Sequence, residues 1–281
     1  MFGLTQQLID DVTMRKYGLD FDELQESMKN LHRIELLKVF YRSMDLSLVK
    51  WETCMRGWDY IKELEQNCTI DYIQGVDDVT KYRLSDIPSK YMHWLLDLHV
   101  RSGGNVCGYF DMYNNNCFAF NLDVDKDEDR WQADKARDII VYTLIEIANL
   151  KPIIIKSGRG YHIWVSLLEL VPNKAIHDLF DLVMIRIPSD ELTALQIHKY
   201  PFFKESKRNS LRLFGSKHVR TDEFSGVMQP YSNKVLSVDQ SWMYINNYVK
   251  NRVNAKGFYT AIANMQQYFD ELMGKYGDQL Q

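Results

Sequence analysis

The sequence predicts an α+β fold, a mixed-sheet core flanked by helices, with helical segments at its N- and C-terminal ends. Three observations carry that expectation. Residues 117–125, CFAFNLDVD, alternate apolar and polar side chains, the period-two pattern of a strand with one buried face. Two further apolar runs, PIIIK (152–156) and YHIWVSL (161–167), meet at a short SGRG connection, as the arms of a hairpin do. Residues 20–44 and 262–276 instead place apolar side chains at helical spacing.

Taken in chain order, residues 20–44 read as a helix. Asp20 is placed to cap it with Glu23 in the box position, and Leu24, Met28, Leu31, Ile34, Leu37 and Tyr41 form its stripe. Trp51 to Glu65 reads as a second helix, and Ile87–Pro88 marks a boundary. In the strand from Cys117, Phe118, Phe120, Leu122 and Val124 share one face, while Asn121, Asp123 and Asp125 share the other. Asp127 to Leu150 is an amphipathic helix on Ala136, Ile140, Leu144 and Ile147, and Asn173 to Ile185 is another. SLRLFG (210–215) is a short strand, and the chain closes with a helix on Ile262, Met265, Phe269, Leu272 and Tyr276. The organisation expected is a mainly helical segment over 1–86, an α/β core over 87–240 and a helical segment over 241–281.

With 281 residues, 46% of them hydrophobic and 26% charged, the chain has the material for a sizeable core. No run of eighteen apolar residues is present, so no membrane partner is expected. The first residues, MFGLTQQLIDDVTMRK, lack the pattern of an export signal, and Cys54, Cys68, Cys107 and Cys117 form no CxxC pair. An intracellular, reducing location is therefore expected. The net charge of −4 argues against indiscriminate coating of nucleic acid. The charge is uneven, however: 199–220 holds seven Lys or Arg and one acid, whereas 121–138 holds seven acids and four bases. Such a pair of clusters suits a site for metal and phosphate, and equally suits two solvated faces.

Three short segments carry chemistry. Asp123-Val124-Asp125 puts two carboxylates on one side of a strand, where they repel unless a cation lies between them. Mg²⁺ or Mn²⁺ takes oxygen ligands of that kind and keeps positions open for substrate phosphates. On its own, a D-x-D pair is more often plain surface. Ser157-Gly158-Arg159-Gly160-Tyr161-His162 combines close backbone approach with the guanidinium fork of Arg159 and the imidazole of His162. Arg212-Leu213-Phe214-Gly215-Ser216-Lys217-His218 offers a second set of cations beyond a glycine turn. Either segment in isolation also fits a hairpin or a basic edge strand.

In order and combination these segments resemble the small catalytic subunit of archaeal and eukaryotic primases and the wider primase–polymerase superfamily. That family has an apolar strand ending in D-x-D or D-x-E, then S-G-x-R-G-x-H or S-x-H, then R-L-P-G-S-x-H. This chain has FNLDVD, SGRGYHIWV and LRLFGSKH, over about Cys117 to His218, and FYRSMD (40–45) is similar to the family's N-terminal helix. The second segment is one residue short between glycine and arginine, and Phe214 stands where proline is usual. The resemblance implies a primase–polymerase-like sheet core and a nucleotidyltransferase that joins nucleotides by two-metal phosphoryl transfer. It implies Asp123 and Asp125 as metal ligands and His162 as a catalytic residue. Ser157, Arg159, His162, Arg212, Lys217 and His218 would bind the nucleotide. Its implied cofactor is Mg²⁺ or Mn²⁺. Its implied partners are a single-stranded DNA template, NTP or dNTP, and a large primase subunit or replicative helicase.

Two departures bear on that resemblance. The family's third metal-binding acid falls about a dozen residues before the arginine matched by Arg212, and counting back lands on Tyr200. His198 and Glu205 are the alternatives nearby. The family's zinc module after the D-x-D is also missing, since 126–156 holds no cysteine or histidine. A replacement zinc set upstream would comprise His93, His99, Cys107 and Cys117, although their spacing matches no standard finger and buried thiols are the plainer reading. Besides a polymerising enzyme, the sequence admits a catalytically inactive primase-fold subunit that holds template or nucleotide for a partner. A metal-dependent nuclease fits the cation-rich segments less well.

Overall fold

Apolar strand faces determine the architecture: a sheet that is apolar on both sides has to be covered twice. A computed structural model describes residues 21–50, 69–73, 81–85, 96–97, 99–101, 106–202, 210–217 and 223–276. Its strands are β1 (Asp45–Lys50), β2 (Thr69–Ile73), β3 (Lys81–Ser85), β4 (Val106–Tyr109), β5 (Asn114–Val124), β6 (Ile153–Ser157), β7 (Gly160–Pro172), β8 (Leu195–Tyr200), β9 (Ser210–Arg212) and β10 (Val227–Met228). The helices used below are α1 (Phe21–Phe40), α2 (Arg130–Tyr142), α3 (Asn173–Met184), α4 (Val238–Lys250) and α5 (Ala255–Tyr276). The strands form two five-stranded sheets, ordered β2-β3-β1-β4-β9 and β10-β6-β7-β5-β8. Every pairing between these strands is antiparallel, so the fold is mixed in carrying helices and sheets together.

The second sheet is the middle layer. Phe118, Phe120, Leu122 and Val124 of β5 join Ile154, Ile163 and Val165 in a core with Ala133, Ile140, Leu179, Phe180 and Phe258 from α2, α3 and α5. The alternate residues Cys117, Ala119, Ile153, Ile155 and Trp164 enter a second core with Val106, Leu211 and Leu213 and with α1 and α4. The alternation read from the sequence is thus the alternation observed, with core on both sides of β5.

Several elements differ from expectation. The helix expected over 20–44 ends at Phe40, and residues 45–50 turn into strand β1. Segment 1–86, expected to be mainly helical, supplies β1, β2 and β3 to the first sheet. These strands are five or six residues long, too short a window for a period-two pattern to be told from a helix end. The helix expected over 127–150 opens with a 3₁₀ turn at Asp127–Asp129 and closes with a π-helical turn at Thr143–Ile147. Asp20, the side chain of Glu23 and the helix expected over 51–65 lie outside the described residues.

One polar cluster ties the layers together. Asn115 and Asn116, both fully buried, begin the regular part of β5. The Asn116 amide donates to the Phe40 carbonyl at 3.1 Å, and its oxygen accepts from the Ser43 amide at 2.9 Å and hydroxyl at 2.8 Å. Asn115 donates to the Asp111 carbonyl and to Asn173 Oδ1, each at 2.8 Å. The two side chains thereby fasten the end of α1 and the start of α3 to one strand. Asn116→Ala should remove the Ser43 amide's acceptor and one of two side-chain donors to the Phe40 carbonyl, which keeps Ser166, and lower stability by about 1–3 kcal/mol, read by chemical denaturation.

Candidate active site

Asp123, Ser157, His162 and His198 lie on the face of the second sheet that looks toward the first. Register arranges this face in rungs. Ile153, Trp164, Ala119 and Tyr200 pair across β6, β7, β5 and β8 in the deepest apolar rung. The next rung is Ile155, His162, Asn121 and His198. Beyond it come Ser157 beside Gly160, and Asp123 beside Gln196. Same-face rungs stand about 6.7 Å apart and neighbouring strands about 4.8 Å. Polarity therefore rises within two rungs from an aromatic floor to an open mouth holding carboxylates.

The turn between β6 and β7 is built for close approach. Ser157 pairs with Gly160 around Gly158 and Arg159, and Gly158 has φ of +60°, the conformation that glycine adopts at the first central position of a II′ hairpin turn. At Gly160 the constraint is spatial, since an added Cβ would lie 1.8 Å from the Leu122 carbonyl oxygen. Only a bare backbone lets the turn press against the strand carrying Asp123. On the other side, Arg130 at the start of α2 donates to the Gly158 carbonyl at 3.4 Å.

Asp123 sits at the meeting point of the charges. Its residue surface is exposed, yet the crowded turn desolvates the carboxyl, and this burial pushes its pKa up. The Val124 amide, which donates to Asp123 Oδ1 at 3.0 Å, pulls the other way, as do Arg159 and His198, while the Asp125 carboxylate adds to the rise. Asp125 is exposed, just past the end of β5. Two carboxylates are thus gathered at the mouth with cationic groups around them.

Arg212 reaches this group from the other sheet. It is only 9% exposed, on the edge strand β9 opposite Cys107. Its Nη2 donates to Ser157 Oγ across the space between the sheets. Burial draws its pKa down, and Cys107 and Asp123 oppose that effect; a guanidinium keeps its charge in such a place. The loop after β9 is anchored in turn: the Phe214 amide donates to the buried Tyr41 hydroxyl at 3.0 Å.

The structure thus brings together Asp123, Asp125, Ser157, Arg159 and Arg212, with His162, 6% exposed, and His198 one rung deeper. Lys217 follows the turn at Gly215 and is positioned by a bridge to Phe224. His218, Glu205 and His93 lie outside the described residues. Asn121 and Gln196, which share these rungs, were not singled out from the sequence, because a neutral amide on a strand gives no charge signal.

The remaining zinc candidates do not form a set. His99 Nε2 lies 2.7 Å from the Phe214 carbonyl. Cys107 belongs to the first sheet and Cys117 to the second, and burial pushes the Cys117 thiol up. Among the described residues no group of three or more His, Cys, Asp or Glu is gathered to hold a metal ion, and no helix is long and apolar enough to cross a membrane.

No protein-family model and no curated protein sequence matches this chain. A solved structure to which it is similar is the polymerase domain of Ligase D from Mycobacterium tuberculosis in complex with DNA, at 13% identity and a TM-score of 0.46, covering 87% of this chain and 94% of that one.

Proposed function

We propose that this protein is a template-dependent nucleotidyltransferase of the primase–polymerase kind, joining nucleotides on a single-stranded DNA template. The observation that carries the reading is the convergence of Asp123, Asp125, the SGRG turn and Arg212 at one mouth between two sheets. Paired carboxylates with cations behind them suit a substrate that brings both a hard metal ion and a polyphosphate.

Asp123 and Asp125 would hold Mg²⁺ or Mn²⁺. Two oxygen ligands at an open strand end fit such an ion and leave positions for phosphate oxygens. Bound there, the ion supplies charge to stabilise the attacking and leaving oxygens. Arg159 and Arg212 neutralise the phosphates. Ser157, held by Arg212, places its hydroxyl at the turn, and His162 offers a ring donor from below. Tyr200, Trp164 and Ala119 close the floor and keep water from entering beneath the site.

If this reading holds, Asp123→Ala or Asp125→Ala lowers nucleotide incorporation by about a hundredfold or more, since metal-centred stabilisation is worth several kcal/mol. Both variants should remain folded, because these side chains lie at the mouth. Full incorporation by both would remove the acids from the mechanism.

A second expectation concerns the cations. Arg212→Lys keeps a charge but loses the planar fork, and Arg159→Ala and His162→Ala lose their donors. Each should weaken binding of a non-hydrolysable nucleoside triphosphate by about tenfold or more in calorimetry. Unchanged affinity in all three would separate the turn from the nucleotide.

The third metal ligand is a choice between His198 and Glu205. His198 lies opposite Asn121 on β8 and acts on the Asp123 carboxyl, which favours it. With an imidazole ligand, Mn²⁺ should outperform Mg²⁺, and His198→Ala should cost more incorporation than Glu205→Ala. The reverse ranking would assign Glu205. A wild-type chain that binds nucleotide or template but incorporates nothing with either ion would be a non-catalytic subunit.

A further inference from the structure

The helix that follows the acids also holds the turn. Strand residues of opposite parity point to opposite faces, so Tyr161, next to His162, directs its side chain away from the mouth and toward α2. There its hydroxyl donates to Asp134 Oδ1, and the Arg137 guanidinium lies over its ring, 4.7 Å from the centroid. Arg137 also reaches Asp134 at 3.3 Å and Asp138 at 2.8 Å. One turn earlier, Arg130 donates to the Gly158 carbonyl at 3.4 Å. Arg130, Asp134 and Arg137 stand at i, i+4 and i+7 of one helix, which makes them a single stripe.

This stripe joins two parts of the mouth without lying in it. Arg130 opens α2 just after Asp125, through the 3₁₀ turn at Asp127–Asp129. The helix therefore carries the acids through the backbone and grips the SGRG hairpin through side chains. Its buried face, with Ala133, Ala136 and Ile140, belongs to the helical core. The hairpin needs such a grip, because Gly158 and Gly160 give half of the SGRG turn the widest backbone freedom. Tyr161 is 3% exposed. Burial first, and the Asp134 hydrogen bond after it, raise its pKa to about 12, so the hydroxyl stays a donor at neutral pH. Phenylalanine in its place would leave Asp134 with Arg137 and the ring with its cation, so only one hydrogen bond is lost.

We infer that Tyr161 and Asp134 are positioning residues, whose contact fixes the SGRG turn relative to Asp123 and Asp125. It thereby sets how an ion on the acids meets phosphates on the turn. What is bound rests on the polymerase reading; the contact itself does not. An ion alone needs only the acids, whereas an ion and a nucleotide together need acids and turn at the right separation.

The first measurement is amide hydrogen exchange of the peptide spanning 157–162, read by mass spectrometry. It should quicken several-fold in Tyr161→Phe and in Asp134→Ala. Asp134→Asn is as neutral as Asp134→Ala but keeps an acceptor for the hydroxyl, and should exchange as the wild type does. Affinity for a non-hydrolysable nucleoside triphosphate with Mn²⁺ should fall about fivefold in the first two variants and hold in the third. Mn²⁺ binding without nucleotide should be unchanged in all three. Combining Tyr161→Phe with Asp134→Ala should be no worse than either alone. Ile140→Val, a core change on the same helix, should lower the melting temperature and move neither readout. If the wild type binds no nucleotide, the polymerase reading falls and the exchange rates decide the contact by themselves. Unchanged exchange in Tyr161→Phe would overturn the inference, as would Asp134→Asn behaving like Asp134→Ala.

Discussion

Strand β5 is the constraint on which the rest depends. It lies between β7 and β8 and is buried on both faces along Cys117 to Phe120. Its even residues belong to the helical layer and its odd ones to the space between the sheets. A slip of one residue would exchange these faces, placing Phe118 and Phe120 between the sheets and turning Asp123 toward Leu144 and Phe180. The cost of burying a carboxylate in such a core keeps the register, and the register puts the acids at the mouth. Asn115 and Asn116 pin the other end of the strand, so the position of Asp123 is set from a point several residues away.

The face between the sheets grades from apolar to charged in three rungs. Trp164 and Tyr200 close the floor, His162 and His198 flank Asn121 above them, and Asp123 stands at the rim. This order follows from desolvation. A carboxylate in the place of Ala119 would lie unpaired among aromatic rings, whereas at the rim it keeps water and the nearby cations. Imidazoles, which can be neutral, occupy the level between, His162 buried and His198 half-buried.

Arg212 joins the sheets at this level. A buried guanidinium on an edge strand needs an acceptor, and Ser157 on the other sheet supplies one. Tyr41 anchors the same loop from the end of α1. The SGRG turn is therefore held by Arg212 on one side and by Arg130 on the other. It forms a fixed wall of the open mouth.

The sequence by itself determined the alternation of β5, the β6–β7 hairpin, α3, α5 and the candidate acids and turn. All of these rest on neighbours within a few residues, where side-chain period and glycine geometry act directly. The short strands β1, β2 and β3 were not legible, because five or six residues are too short a window to separate a strand from a helix end. The π turn at Thr143–Ile147 left no periodic trace. What the tertiary structure alone decided is which distant segments face each other. Arg212 meets Ser157 across fifty-five positions of chain, Tyr41 meets Phe214 across one hundred and seventy-three, and His99 meets the Phe214 carbonyl across one hundred and fifteen. Such contacts depend on how two sheets stack to bury both faces of one strand, and that packing is a property of the whole chain rather than of any window within it.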